Sequence, residues 1–469
     1  MSIKPNRPLS ALAALGLLAT ATACASTSPA IDGQPIAQSR AGGGDPVSMG
    51  QPAFRADPRC GTFAGTGCAP TSERIDLTPP TFTHPTDITN PLFPISKLES
   101  VVLLGNVDGK PFRSETTLLP STGTVVVDGK PVEVRLSQYT AYLDGRITEV
   151  ALDRYAQADD GSVWYLGEDV YDYENGTISV SEGTWLAGRD GPPAMIMPAT
   201  PKVGQVFRTE DIVGVVFEEV TVKAVDQTVD GPLGTIKGAM VAEELHLDGT
   251  TSEKVFAPGY GEFFTQNDGE IEALSLAVPV NRTGTRESVE LAKLITSAWG
   301  IVESTRLEDW EAIDAELKLV TSYWNTVKKQ PQPVRVVEAL DAAVAKLSDA
   351  VAQQKAAPTL ASAVQVAQSA LDLELRYRTV AYVDIGRFHL HAQALRIAAA
   401  ADDADGVNAE MATLEWIRER ITGTLGADEL NRVDDLLANA RTAVNTGNFA
   451  GAGDEAARLV NVIRSLSLP

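Results

Sequence analysis

The stretch from Asp128 to Gly161, DGKPVEVRLSQYTAYLDGRITEVALDRYAQADDG, decides the fold. Asp-Gly pairs at Asp128, Asp144 and Asp160 open, divide and close it. Such pairs favour the type I′ turn, because both central residues need positive φ, which glycine adopts freely and aspartate tolerates. Between the pairs, Val132-Glu133-Val134-Arg135-Leu136 alternates apolar and polar side chains, and Ile147-Thr148-Glu149-Val150-Ala151-Leu152 nearly does. That is the period-two signature of half-buried strands. Working outward, the same punctuation recurs at Asp108, Asn175, Asp190, Asp230, Asp248 and Asp268, each followed by glycine. Residues 90–284 therefore read as an antiparallel β-meander. The turns fall roughly fifteen to twenty residues apart, which predicts long curved strands and a barrel, half-barrel or strongly bent sheet rather than a sandwich of short strands.

From about Arg286 the period changes. Val337, Leu340, Val344, Leu347 and Val351 recur at three and four, as do Leu430, Val433, Leu437, Ala440 and Val444, which are the apolar stripes of packed helices. Breaks are expected at Pro331 to Pro333, Pro358, Gly406, Gly426 and Gly447, with Asn448 as a helix cap behind a terminating glycine. Residues 285–469 thus read as a bundle of seven or eight helices, and the chain as an α+β protein of two domains.

The first residues carry a different message. Lys4 and Arg7 precede an apolar run from Leu9 to Ala19 that ends at Ala21-Thr22-Ala23-Cys24. A positive start, a short apolar core and small residues before a cleavage point are what an export signal needs. Residues 1–23 are read as that signal. The position of Cys24 resembles the lipobox of bacterial lipoproteins, which implies that Cys24 becomes the acylated N-terminus and holds the protein to the outer surface of the cell membrane. Ala21 stands where that family usually has leucine, and Ala21-Thr22-Ala23 also reads as an ordinary A-x-A cleavage site of a freely secreted protein. Residues 24–58, rich in Ser, Pro, Gly and Ala, read as a flexible tether.

With 39 basic and 62 acidic residues, the formal charge is −23, so a phosphate backbone would be repelled and nucleic acid is an unsuitable partner. Only three cysteines are present. With Cys24 assigned to lipid, Cys60 and Cys68 are expected to pair as a disulfide stapling an entry segment at 59–89. Closing that short loop would stabilise the fold by about 2.6 kcal/mol in the chain-entropy view.

Signatures of chemistry are sparse. The chain has no H-E-x-x-H, G-x-S-x-G, S-x-x-K, Walker or G-x-G-x-x-G motif and only four histidines. His389 and His391 stand two apart on a helix, point in different directions and cannot share an ion. Asp402, Asp403, Asp405 and Gly406 place alanines at both ends of the calcium-loop pattern, so a helix–helix turn is expected there instead. No metal and no cofactor are expected. The densest aromatic and acidic stretch runs from Val163 to Asp169 and on through Tyr171, Tyr173, Glu182, Trp185 and Asp190. On period two, Glu168 shares a face with Trp164 and Leu166, and a carboxylate on an inward face either finds a partner or marks a site. Trp164, Glu168, Trp185 and Asp190 are the candidate ligand-binding residues, weighed against a packed sheet with Glu168 tied to an arginine or a backbone amide.

The segments Trp164 to Asp169, Gly183 to Gly191 and Met195 to Ala199 resemble a set of exported lipoproteins common in high-GC Gram-positive, actinobacterial-type cells. The resemblance covers roughly residues 90 to 265 and brings no established activity. It departs at Phe207-Arg208-Thr209-Glu210, where an aromatic-Arg-Gln-Glu is expected. Three functions compete. The first is a non-catalytic surface lipoprotein that binds a small apolar or amphipathic ligand or an envelope partner. The second is a hydrolase of envelope polysaccharide using Glu168 with Asp190 or Glu182, and the third is a purely structural or assembly protein.

Overall fold

The computed structural model describes residues 68–232, 234–267, 274–279 and 286–465. Cys24, Cys60, the signal and the tether lie outside them, and so does the Cys60 half of the expected staple.

Among the described residues, fourteen strands form one sheet. They are β1 (Ser100–Val107), β2 (Lys110–Val127), β3 (Lys130–Leu143), β4 (Arg146–Gln157), β5 (Val163–Glu174), β6 (Thr177–Val180), β7 (Trp185–Leu186), β8 (Ala194–Met197), β9 (Val206–Ile212), β10 (Val216–Gly231), β11 (Gly234–His246), β12 (Thr251–Ala257), β13 (Gly261–Asn267) and β14 (Leu274–Pro279). All strand pairs are antiparallel, and the order is β6-β5-β4-β3-β2-β1-β14-β13-β12-β11-β10-β9, with β7 and β8 both paired to β5. Two meanders are thus joined along β1 and β14. The sheet curls until β8, held on β5, lies against β9, which makes a half-barrel. The residues ahead of β1 run alongside β9, where Ile75 donates its amide to Val206 at 2.9 Å.

The turns explain the meander. Asp108-Gly109, Asp128-Gly129, Asp144-Gly145 and Asn175-Gly176 have positive φ at both residues, as type I′ hairpins require. At Asp160 and Asp248 only the following glycine has positive φ, and these loops are wider. Asp190-Gly191 has positive φ at neither residue, and Asp268 lies outside the described residues.

Eight helices follow among the described residues: α1 (Val289–Arg306), α2 (Trp310–Val327), α3 (Val334–Ala352), α4 (Ala356–Glu374), α5 (Val380–Ala400), α6 (Ala404–Ile421), α7 (Ala427–Asn445) and α8 (Phe449–Ser465). Successive helices pair as hairpins, and two cores result, one among α1 to α4 with Val380, Val383 and Leu390 of α5 and Val102 of β1, and one among α5 to α8. Side-chain caps set the starts: Ser288, Asp309, Thr379, Asp403 and Asn448 each accept an amide hydrogen from the first turn at 3.0 to 3.2 Å. The expected Asn448 cap behind Gly447 is present, and Asp402 to Gly406 is a helix–helix turn. Pro358 and Gly406 do not break helices. They lie in the first turns of α4 and α6, where a proline's missing amide leaves no bond unmade and Gly406 donates its own amide to the cap.

The two domains touch over a wide front. Along β4, Val150 and Leu152 point outward and pack with Trp416 of α6, while Ala151, Asp153 and Tyr155 point inward. On β2, Ser114, Thr116 and Leu118 face inward, and Arg113, Glu115 and Thr117 face the helices. The expectation of half-buried strands fails here, because helices cover the convex face. Outward charges on β2 are therefore buried and must be paired. Arg113 binds Asp372 at 2.7 Å and Glu115 at 2.6 Å. Arg387, fully buried, meets Glu115 at 3.2 Å, Asp372 at 2.9 Å and Asp384 at 3.0 Å, and Arg420 reaches Glu115. Three guanidinium groups thus balance three carboxylates between sheet and bundle.

Candidate functional site

The concave side of the half-barrel encloses a cavity of about 160 Å3. Segment 90–99 covers part of it with Phe93, Pro94, Ile95 and Leu98, while Val101, Leu103, Phe207 and Phe256 supply more apolar wall. An aromatic ladder runs into it. Phe93 meets Tyr155 edge-on at 5.0 Å, Tyr155 stacks on Tyr165 at 4.8 Å, and Tyr165 meets Trp185 edge-on at 5.5 Å.

Against this apolar wall stand six carboxyl groups, those of Asp153, Glu168, Glu210, Glu218, Glu244 and Glu262, and one ammonium, that of Lys254. Two backbone irregularities deliver the central pair. In β5, Tyr165 faces Tyr155 and Glu168 faces Asp153, so three steps on β5 match two on β4. Gly167, at φ +120°, makes this bulge, and a Cβ there would meet the Trp185 carbonyl oxygen at 2.3 Å. In β9 the register shifts between Glu210 and Arg208, so that Thr209 and Glu210 both reach the cavity.

The bulge corrects the period-two reading of β5. Glu168 shares the inner face with Tyr165, not with Trp164 and Leu166, which pack in the core behind. Trp164 donates to Ser162 Oγ at 2.8 Å and does not line the cavity. Trp185 is fully buried and gives its indole hydrogen to Glu210 Oε1 at 2.8 Å, which places it directly behind the acids. Asp190 sits in an exposed turn, accepting from the Leu186 amide at 2.8 Å and pairing with Arg189 at 2.6 Å. Glu182 is exposed as well. The structure therefore brings Trp185 and Glu168 together and leaves Trp164, Asp190 and Glu182 apart from them.

Glu168 is not tied to an arginine or a backbone amide. Burial, and then Asp153 beside it, push its carboxyl well above the usual range against the help of its contact with Glu210. Burial also raises Glu210, with the Glu168 and Glu218 charges adding to it. Beyond the contact of the two carboxyls with each other, neither Glu168 oxygen nor Glu210 Oε2 has an N–H or O–H partner. The Tyr165 hydroxyl lies nearby but donates to Asp153 Oδ1 at 2.6 Å. Such a pair resolves itself by sharing a proton. Burial also pushes Asp153 up to about 6.

A second group lies across the cavity. Lys254 binds Glu244 at 2.6 Å, and His246 approaches Glu218 at 3.5 Å and Ser252 Oγ at 3.0 Å. Burial would raise the Glu218 carboxyl, but His246 and Lys254 hold it below the usual range. Ligand atoms of Glu218, Glu244 and His246 lie within 4.8 Å of one another, a spacing that could hold a divalent cation. The Lys254 ammonium already supplies the positive charge there. His389, by contrast, is pushed down to about 4 by burial beside Trp299, and His391 binds Glu410 at 2.7 Å.

Asp153, Glu210, Glu218, Glu244, His246 and Lys254 are absent from the sequence-based candidates. The usable signal was Gly167, a glycine inside a strand pattern, which marks a bulge and re-aims its neighbour. No sequence feature marks the β9 shift.

The fold and cavity define an α+β protein in which a curled antiparallel sheet, backed by helices, encloses an acidic and aromatic chamber. No protein-family profile and no curated protein matches the chain. Among the described residues, no helix is long and apolar enough to cross a membrane.

Proposed function

We propose that this is an exported lipoprotein, anchored through Cys24, whose half-barrel binds a small apolar or amphipathic molecule without transforming it. The observation that carries the reading is the cavity itself, apolar and aromatic along its walls, with buried carboxyl oxygens of Glu168 and Glu210 that receive no N–H from the protein. The export signal and the cysteine at its end support the location, and the charge of −23 argues against nucleic acid. A hydrolase would need an acid and a second carboxylate about 5 to 9.5 Å apart across an open cleft. Glu168 instead contacts Glu210 closely enough to share a proton, and Asp190 and Glu182 lie elsewhere. That arrangement suits binding better than glycoside cleavage.

Native mass spectrometry of the chain extracted from membranes of its own host tests the reading. We expect a lipid-sized mass on Cys24 and a small molecule carried at one per chain. An unacylated chain in the culture medium would overturn the anchor, and a ligand-free mass after mild extraction would overturn the binding role.

A further inference from the structure

We infer that the half-barrel chamber takes a small primary amine as its ammonium ion, with the nitrogen seated between Glu168 and Glu210 and the apolar body along the aromatic ladder. This rests on the proposed binding role and specifies its ligand.

The donor count carries the inference. Once the shared proton leaves, Glu168 Oε1, Glu168 Oε2 and Glu210 Oε2 are three buried carboxyl oxygens without an N–H or O–H partner, and a primary ammonium offers three N–H donors. Charge points the same way. Among the described residues, six carboxyl groups line the chamber against one ammonium, that of Lys254, which is spent on Glu244. Among the described residues no lysine, arginine or histidine pairs with Glu168 or Glu210: β4 contributes Glu149 and Asp153 on the same face, and Tyr155 of β4 and Tyr165 of β5 add neutral hydroxyls. Across the chamber lie Glu218, Glu244 and Glu262, with His246 and Lys254 as their partners. A cation entering beside Glu168 would replace the shared proton and gain charge-assisted hydrogen bonds in a site shielded from water.

A metal ion is a poorer fit for this pair. Among the described residues, the acids and histidines that converge to metal-ligand spacing are Glu218, Glu244 and His246, and the trio of Asp153, Glu168 and Glu210 is not among them. The walls are also wrong for a hydrated ion. Phe207, Phe256 and the Tyr155–Tyr165 stack offer ring faces, which favour an organic cation with an apolar body. At about 160 Å3 the chamber is close to the size of a cavity of about 150 Å3 known to accept benzene. One ring or a short alkyl chain fits, and a phosphate beside six acids does not.

The test is titration calorimetry of the full soluble body with benzylamine and with its neutral analogue, benzyl alcohol, near pH 7 in buffers of different ionisation enthalpy. The expected result is tighter binding of the amine, with about one proton released per ligand as the ammonium displaces the shared proton. Glu168→Gln should weaken benzylamine by about 30-fold and benzyl alcohol far less, because a neutral hydroxyl loses no charge-assisted bond. The proton count is read on the unaltered protein, so it stands even if the variant folds poorly. Equal binding of amine and alcohol with no proton release would overturn the amine assignment and leave the apolar binding role in place. Amine binding that survives Glu168→Gln would overturn the seat. Binding of neither compound would overturn both.

Discussion

Glu168 and Glu115 show how one residue type is driven in opposite directions by its neighbours. Burial raises both, but three guanidinium groups around Glu115 outweigh that and hold it well below the usual range. Glu168 has no such partner and stays high. The consequences for stability have opposite signs. The contribution of Glu115 is present above the ordinary carboxylate range, about 4.3, and is lost as pH falls through its lowered value. That of Glu168 is complete below the ordinary range and is lost as pH rises through its raised value. Glutamine mimics the protonated acid at every pH, so Glu168→Gln should match the parent protein near about pH 4 and exceed it by about 1–2 kcal/mol near about pH 8. Urea midpoints across that range check this, and a difference that does not grow with pH would refute it. Little of this was legible in sequence. Glu168 stood out because of its aromatic neighbours, whereas Glu210 looked like one acid in an ordinary strand until β9 shifted register beside it.

At the scale of elements, glycines that look alike in sequence do different work. Gly129 closes a type I′ turn at φ +74° with nothing within 4 Å of the position a Cβ would take. Gly167 combines φ +120° with a carbonyl oxygen 2.3 Å from that position. Gly129→Ala should therefore cost about 1 kcal/mol, from backbone conformation alone. Gly167→Ala should cost about 2–4 kcal/mol, because β5 and β7 must separate as well. Denaturant unfolding of the two variants would measure the contrast, and equal costs would show that the bulge is not held by the close approach of β7. Most elements could be read in advance. Asp-Gly and Asn-Gly pairs announced the hairpins of β1 to β6, and the three-four stripes of Val337 and Leu430 announced α3 and α7. The bulges escaped because a glycine inside a strand signals an irregularity without saying which side chains it will turn.

For the molecule as a whole, the half-barrel and the helices share the charge cluster of Arg113, Glu115, Asp372, Asp384, Arg387 and Arg420. This contact was not singled out in sequence, because the six charges are spread over β2, α4, α5 and α6 and share no local spacing. Removing one cation leaves a buried carboxylate short of its partner, so Arg420→Ala should destabilise by about 3–5 kcal/mol. Because the cluster belongs to both domains, they should melt together. Calorimetry should give one transition with equal calorimetric and van't Hoff enthalpies in the parent protein, and Arg420→Ala should lower its midpoint without splitting it. Two transitions in the parent protein would show that the domains are energetically separate.

The seam between β1 and β14 has a mechanical meaning. Val101 pairs with Pro279 and Leu104 with Ser275, so the chain enters β1 and leaves β14 at the same end of that ladder. Tension applied between the segments that flank the sheet would load these hydrogen bonds one after another, as in a zipper, instead of all together in shear. A protein held at one end and pulled at the other would yield first along this line, unless the guanidinium–carboxylate cluster across the convex face takes up the force before it arrives.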